Sequence, residues 1–236
     1  MGWWIGDALS DPTRGAVWVV AWLVWVVVSI TLHELAHGWA ALKLGDTTPR
    51  DLDRMTFNPL VHMGPVSLVM LVIIGIAWGQ MPVDTSRLRG RYAESLVALA
   101  GPAMNLLLML VSGVGAVLWL GLAGNVDEPL RTNMAMFLVL GPVLNLILAV
   151  FNLAPIPPLD GSRVVANFFP AYGRFFDTEN GRWAGLGLFL LYFFLLARPL
   201  MFYCLLFSVL AVAILGDLLA SVTGMGVPID EVLKAF

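Results

Sequence analysis

A chain of 236 residues that is 59% hydrophobic and only 12% charged is too apolar for a water-soluble domain of its length, and belongs in a bilayer. Its formal charge of -3 supplies no basic field, which excludes nucleic acid as a partner. The single cysteine, Cys204, lies in an apolar run, so disulfides within the chain and thiolate zinc sites are excluded.

The N-terminal stretch carries Asp7 and Asp11 before Arg14 and leads into an apolar run without a small-residue cleavage site, so a removable signal peptide is not expected. Gly6 stands where an acylation motif at Gly2 needs Ser or Thr. A spanning helix needs roughly 20 apolar residues to cross about 30 Å of hydrocarbon, and on that measure the chain reads as an all-α polytopic membrane protein with about five to six transmembrane helices. The first expected span runs from about Ala16 to Leu44, uniformly apolar at first and polar at TLHELAHGW. Residues 45–63 are polar and turn-rich, and 64–79 form a short apolar stretch interrupted by Pro65, Gly75 and Gly79.

Lys43, Arg50 and Arg54 precede that stretch and Arg87, Arg89 and Arg91 follow it, the pattern of loops that stay in the cytoplasm. With both flanks on one side, 64–79 reads as a small re-entrant or β-like insert after the HExxH helix, shielded by protein. Further spans are expected at about Leu96–Leu122 and Thr132–Leu153, the second leading into APIPPLDG. The last apolar block, 183–222, is split by Arg198-Pro199 and predicts a helical hairpin. The expected organisation is one integral membrane domain over 1–236, with a catalytic core at about 16–170 and the hairpin at about 183–222. GPAMNL at 101 recurs as GPVLNL at 141, which reads as convergent helix-packing sequence rather than duplication. Trp3, Trp4, Trp78 and Trp183 read as interfacial anchors.

In HELAH, His33 and His37 are four residues apart, so on a helix both imidazoles leave one face and can share a zinc ion. Catalytic zinc takes three protein ligands and leaves a position for water, whose proton Glu34 is placed to accept. The bland alternative is a polar helix end at the interface, but two imidazoles and a carboxylate are costly in a membrane unless they have a function. The third ligand must come from elsewhere in the chain. Asp160 follows Pro155, Pro157 and Pro158, which stiffen the backbone, and precedes Gly161, which permits close approach. It reads equally as the ligand or as the N-cap of a short helix at 162–168. His62 reads as approaching the metal, gating the cleft or packing at the interface, and Asn105 and Asn145 as lining the site or bonding between helices.

Together these segments resemble the site-2 protease family of intramembrane zinc metalloproteases, in its compact branch without a PDZ domain, over about residues 25–170. HELAH matches the family's HExxH, and NLAPIPPLDG at 152–161 matches its second signature, in which an Asn lies eight residues before the ligand Asp. LAGPAMNL resembles the GxxxN element through Gly101 and Asn105, and FNPLVH a segment of the compact branch. The resemblance implies one Zn2+ per chain held by His33, His37 and Asp160, with Glu34 as general base and then proton donor to the leaving amine. It implies that Asn152 orients substrate or stabilises the oxyanion. Two positions depart from the pattern: Gly64 replaces an acidic residue and Gln80 replaces a Lys.

The expected activity is therefore zinc-dependent endoproteolysis in or near transmembrane segments, the partners being a transmembrane substrate and the lipid bilayer. Oligomeric state is not readable. The expected location is a bacterial or archaeal cell membrane, with the site toward the cytoplasm. The rival readings are a membrane zinc transporter or sensor and a catalytically silent scaffold; a transporter would string charged groups across the bilayer, whereas these cluster at one depth.

Overall fold

The computed structural model describes residues 4–12 and 14–223, so Trp3 and the chain ends of the expected 1–236 domain fall outside it. In order, the helices are α1 (Trp4–Leu9), α2 (Gly15–Lys43), α3 (Thr48–Asp51), α4 (Pro59–Ile74), α5 (Ala93–Leu122), α6 (Leu130–Asn152), α7 (Asp160–Phe168), α8 (Pro170–Asp177) and α9 (Glu179–Thr223). No strand occurs among the described residues. Lipid offers no partners to backbone amides, so the Val-rich run of α2 is helical despite its β-branched side chains.

Four helical stretches are long and apolar enough to span: Gly15–Lys43, Ala93–Asn125, Leu130–Asn152 and Arg198–Ser221. The all-α polytopic class is thus borne out. α6 is the most enclosed, with 61% of its apolar window buried against 22% for the last stretch. Val26, Ile30, Met63, Leu71 and Leu144 form one core between α2, α4 and α6. Ala116, Val117, Leu120, Ala135, Val139 and Val212 form another between α5, α6 and α9. Backbones approach closely at Gly141, where a Cβ would fall 2.6 Å from the Trp25 ring and 2.7 Å from Ser112 Cβ.

The C-terminal hairpin is replaced by one continuous helix, α9, of 45 residues. Pro199 removes one helical hydrogen bond, but an unwound link in lipid would free several amides, so continuing the helix costs less. Cys204 is buried in it.

The insert after α2 is helical on its way in and extended on its way out. Asn58 caps α4 by accepting from Leu60 N at 3.0 Å, and Pro59 opens it. The 16-residue element is broken inside at Gly64 (φ 69°) and closed by a left-handed cap at Gly75 (φ 76°); even unbroken, it would be roughly 24 Å long at about 1.5 Å per residue, short of the hydrocarbon thickness. Trp22 Nε1 donates to Gly75 O at 3.1 Å, which marks how far the insert climbs along α2. It then returns beside α2: Gly79 abuts Ile30 and Glu34, and Met81 abuts Gly38. Gln80 N donates to His62 O at 3.0 Å and Asp84 N to Asp46 Oδ2 at 2.8 Å, so the insert enters and leaves at the same end of α2. It re-enters rather than crosses.

Candidate metal centre

His33, Glu34 and His37 stand near the polar end of α2, roughly 12 Å in from Lys43 at about 1.5 Å per residue. Their helical spacing brings the two imidazole centroids to 4.6 Å and the Nε2 atoms to 3.0 Å. Asp160 opens α7 and places Oδ2 3.1 Å from His33 Nε2 and 3.4 Å from His37 Nε2. One ligand atom from each of the three residues lies within 4.8 Å of the others. α7 has no side-chain cap, its N-cap position being Leu159, so the carboxylate faces the imidazoles and the capping alternative is overturned. Gly161 makes this approach feasible: a Cβ there would lie 2.1 Å from Leu153 O and 2.5 Å from Ala154 O.

The donor set fits a metal. His37 Nδ1 lies 2.7 Å from the Val97 carbonyl and His33 Nδ1 lies 2.6 Å from Asn105 Oδ1. Both partners are acceptors, so in the neutral imidazoles both Nδ1 atoms carry hydrogen and both Nε2 atoms present lone pairs. Two lone pairs at 3.0 Å beside a carboxylate oxygen repel unless a positive charge sits between them. Asp160 Oδ2 is buried without a well-aligned hydrogen bond, which leaves it free as a ligand. Gly101 of α5 leaves the metal face open, since a Cβ there would fall 2.4 Å from His37 Nε2 and 2.5 Å from His33 Nε2.

Glu34 is buried beside this face, with Gly79 of the insert packed so closely that a Cβ would lie 2.6 Å from its Oε1. Ser67 holds the insert there, accepting from Trp78 N at 2.8 Å and donating to Trp78 O at 2.7 Å. His62 is not part of the cluster. Its Nε2 donates to Thr56 O at 2.6 Å, tying the loop before α4 to that helix, so the reading in which it approaches the metal is corrected. The Asn152 amide turns back to donate to Leu148 O at 2.9 Å in its own helix. Asn105 lies at the site's rear wall, and Asn145 stands behind Asn105.

The profile of peptidase family M50 matches residues 120–196, a stretch that holds Asn152 and Asp160. YwhC of Bacillus subtilis, named as a candidate zinc metalloprotease, is 32% identical over 186 residues, covering 78% of this chain and 83% of YwhC. The chain belongs to peptidase family M50, the site-2 proteases. Rip2 of Mycolicibacterium smegmatis is 31% identical over 68% of this chain, which spans 61% of Rip2. Rip3 of Mycobacterium tuberculosis is 28% identical over 69% of this chain, which spans 36% of Rip3. Both carry the same kind of name. No solved structure gives a significant match.

As a site-2 protease, the chain is an integral membrane zinc metalloprotease acting on membrane-embedded substrates. Sequence reasoning missed the Val97 carbonyl, Gly79 and Ser67 as parts of the site's surroundings. A backbone acceptor carries no sequence signal. Gly79 and Ser67 act by contact across the insert, which only folding creates.

Proposed function

We propose that His33, His37 and Asp160 hold one zinc ion, and that Glu34 is the general base for hydrolysis of a peptide bond in or near a substrate's transmembrane segment. The convergence of the imidazole lone pairs and the Asp160 carboxylate carries this reading. When bound, zinc supplies Lewis-acid polarisation of the scissile carbonyl and of the attacking water. Glu34 takes the proton released as that water attacks and passes it to the departing amine, so water adds across the broken C–N bond. The insert backbone at Gly79 covers Glu34 and keeps bulk water from it. Asn152, at the end of α6, donates its amide to the developing oxyanion once it rotates from Leu148. A substrate helix must unwind locally first, because its carbonyls are otherwise hydrogen-bonded.

The cationic loops around Lys43, Arg50, Arg54, Arg87, Arg89 and Arg91 support a cytoplasmic placement of the site in a bacterial or archaeal cell membrane. The residues over 1–236 work as one membrane metalloprotease domain. Full-length protein purified in detergent, assayed for zinc and for cleavage of a panel of transmembrane substrates, tests the assignment. Glu34→Gln is expected to keep zinc and lose cleavage by about a hundredfold or more, whereas His33→Ala loses the metal. Undiminished cleavage by Glu34→Gln refutes the role given to Glu34, and equal zinc in wild type and His33→Ala refutes the ligand set.

A further inference from the structure

The hydrogen bond behind His33 continues across three helices. Asn105 Nδ2 donates to Asn145 Oδ1 at 3.0 Å, and Asn145 Nδ2 donates to the Gly141 carbonyl at 3.0 Å. Both amides are fully buried, at 0% exposure, so no water substitutes for these partners. A primary amide fits such a chain either way round, so the direction must be imposed by an end group that cannot be reversed. The Gly141 carbonyl is that group, because it only accepts. It takes Asn145 Nδ2, which leaves Asn145 Oδ1 for Asn105 Nδ2, and Asn105 Oδ1 for His33. His33 must then donate from Nδ1 and present a bare Nε2 to His37 and Asp160.

We propose that Asn145 is a positioning residue of the metal centre: through Asn105 it dictates which nitrogen of His33 meets the zinc. The inference rests on the zinc-site reading above. His37 needs no such chain, since the Val97 carbonyl beside it is already an acceptor only. The recurring GPAMNL and GPVLNL segments thereby take unlike tasks. The first supplies Gly101, which leaves room at the metal face, and Asn105, which touches His33. The second supplies Asn145 and the terminal carbonyl of Gly141.

Asn145→Leu keeps the side chain's bulk and removes both of its hydrogen bonds. The Asn105 amide is then released to turn Nδ2 toward His33, which places hydrogen on the nitrogen needed for zinc. Loss of such a partner costs about 10–100-fold in metal affinity, and that loss is expected when zinc is titrated against a competing chelator on full-length protein in detergent. Asn105→Asp, ionised beside the zinc-bound imidazole, offers only acceptors, so it cannot turn a donor toward His33. Added to Asn145→Leu, it is expected to restore affinity to within about tenfold of wild type.

Unchanged affinity in Asn145→Leu overturns the proposal, and so does a loss that Asn105→Asp leaves in place, the result of a packing role alone. Nitrogen-15 NMR of zinc-loaded wild type reads the same point without a variant: His33 and His37 are metallated through Nε2 with hydrogen on Nδ1, and His62 is unmetallated. Metallation of His33 through Nδ1 overturns the proposal. If wild type binds no zinc, the site reading and the proposal fall together; if wild type binds it and Asn145→Leu binds it equally tightly, the relay alone falls.

Discussion

A single methyl group at Gly101 tests the metal centre most directly. Its carbon would lie 2.4 Å from His37 Nε2, 2.5 Å from His33 Nε2 and 2.6 Å from His33 Cε1. Ordinary contact between such atoms is about 3.5 Å, so each ring would have to retreat by roughly 1 Å. Neither ring has room to do so, because Asn105 and Val97 hold their far sides at 2.6 and 2.7 Å. Metal–ligand distances tolerate only about 0.2 Å, so a displacement of that size removes the site. Gly101→Ala is therefore expected to lower zinc affinity by more than tenfold and to cost about 1–3 kcal/mol of stability through overpacking. Gly115→Ala, on the same helix, is the control. Its nearest neighbour would be Leu138 Cδ2 at 3.7 Å, an ordinary contact, and the added methyl favours helix by up to about 1 kcal/mol. Zinc content after chelator dialysis and thermal unfolding in detergent read both effects. Wild-type zinc retention by Gly101→Ala would refute the reasoning.

Gly79→Ala drives a methyl against Glu34 Oε1 and lifts the insert, so cleavage should fall at least tenfold while zinc content is unchanged; parallel loss of zinc would show that the insert supports the ligands instead. Ser67→Ala strands the Trp78 amide and carbonyl and should cost about 1–3 kcal/mol, seen as faster proteolysis or hydrogen exchange over 75–82; unchanged exchange there would mean that the serine does not hold the segment. His62→Ala should leave zinc stoichiometry at the wild-type level, because its Nε2 is bonded to Thr56 and the ring lies outside the group of His33, His37 and Asp160; a loss of metal would restore it as a ligand.

The long apolar runs and HELAH spacing were legible in the sequence because each is a local property. Hydropathy over roughly 20 residues implies a span, and an i, i+4 pair of histidines shares a face on any helix. α2, α5 and α6 accordingly lie within a few residues of their expected bounds. Two readings of Asp160 stood level because Asp favours helix starts and metal ions alike. Only the fold of 153–161 against the end of α6 turned its carboxylate to the imidazoles. The block after Trp183 misled for a related reason: Arg198-Pro199 is a strong local stop signal, yet the cost of free amides in lipid keeps α9 continuous.

By itself, the sequence determined the membrane class, the three long spans before residue 153 and the residue types able to bind zinc, all consequences of composition and short-range periodicity. The tertiary structure decided which acceptor stands behind each imidazole, that His62 faces Thr56 rather than the metal, and that Gly79 covers Glu34. Apart from the local contact of His62 with Thr56, those pairings join distant stretches of chain, 72 residues apart for His33 with Asn105 and 60 for His37 with Val97. Buried polar groups must find partners, but where several are within reach, only packing selects among them.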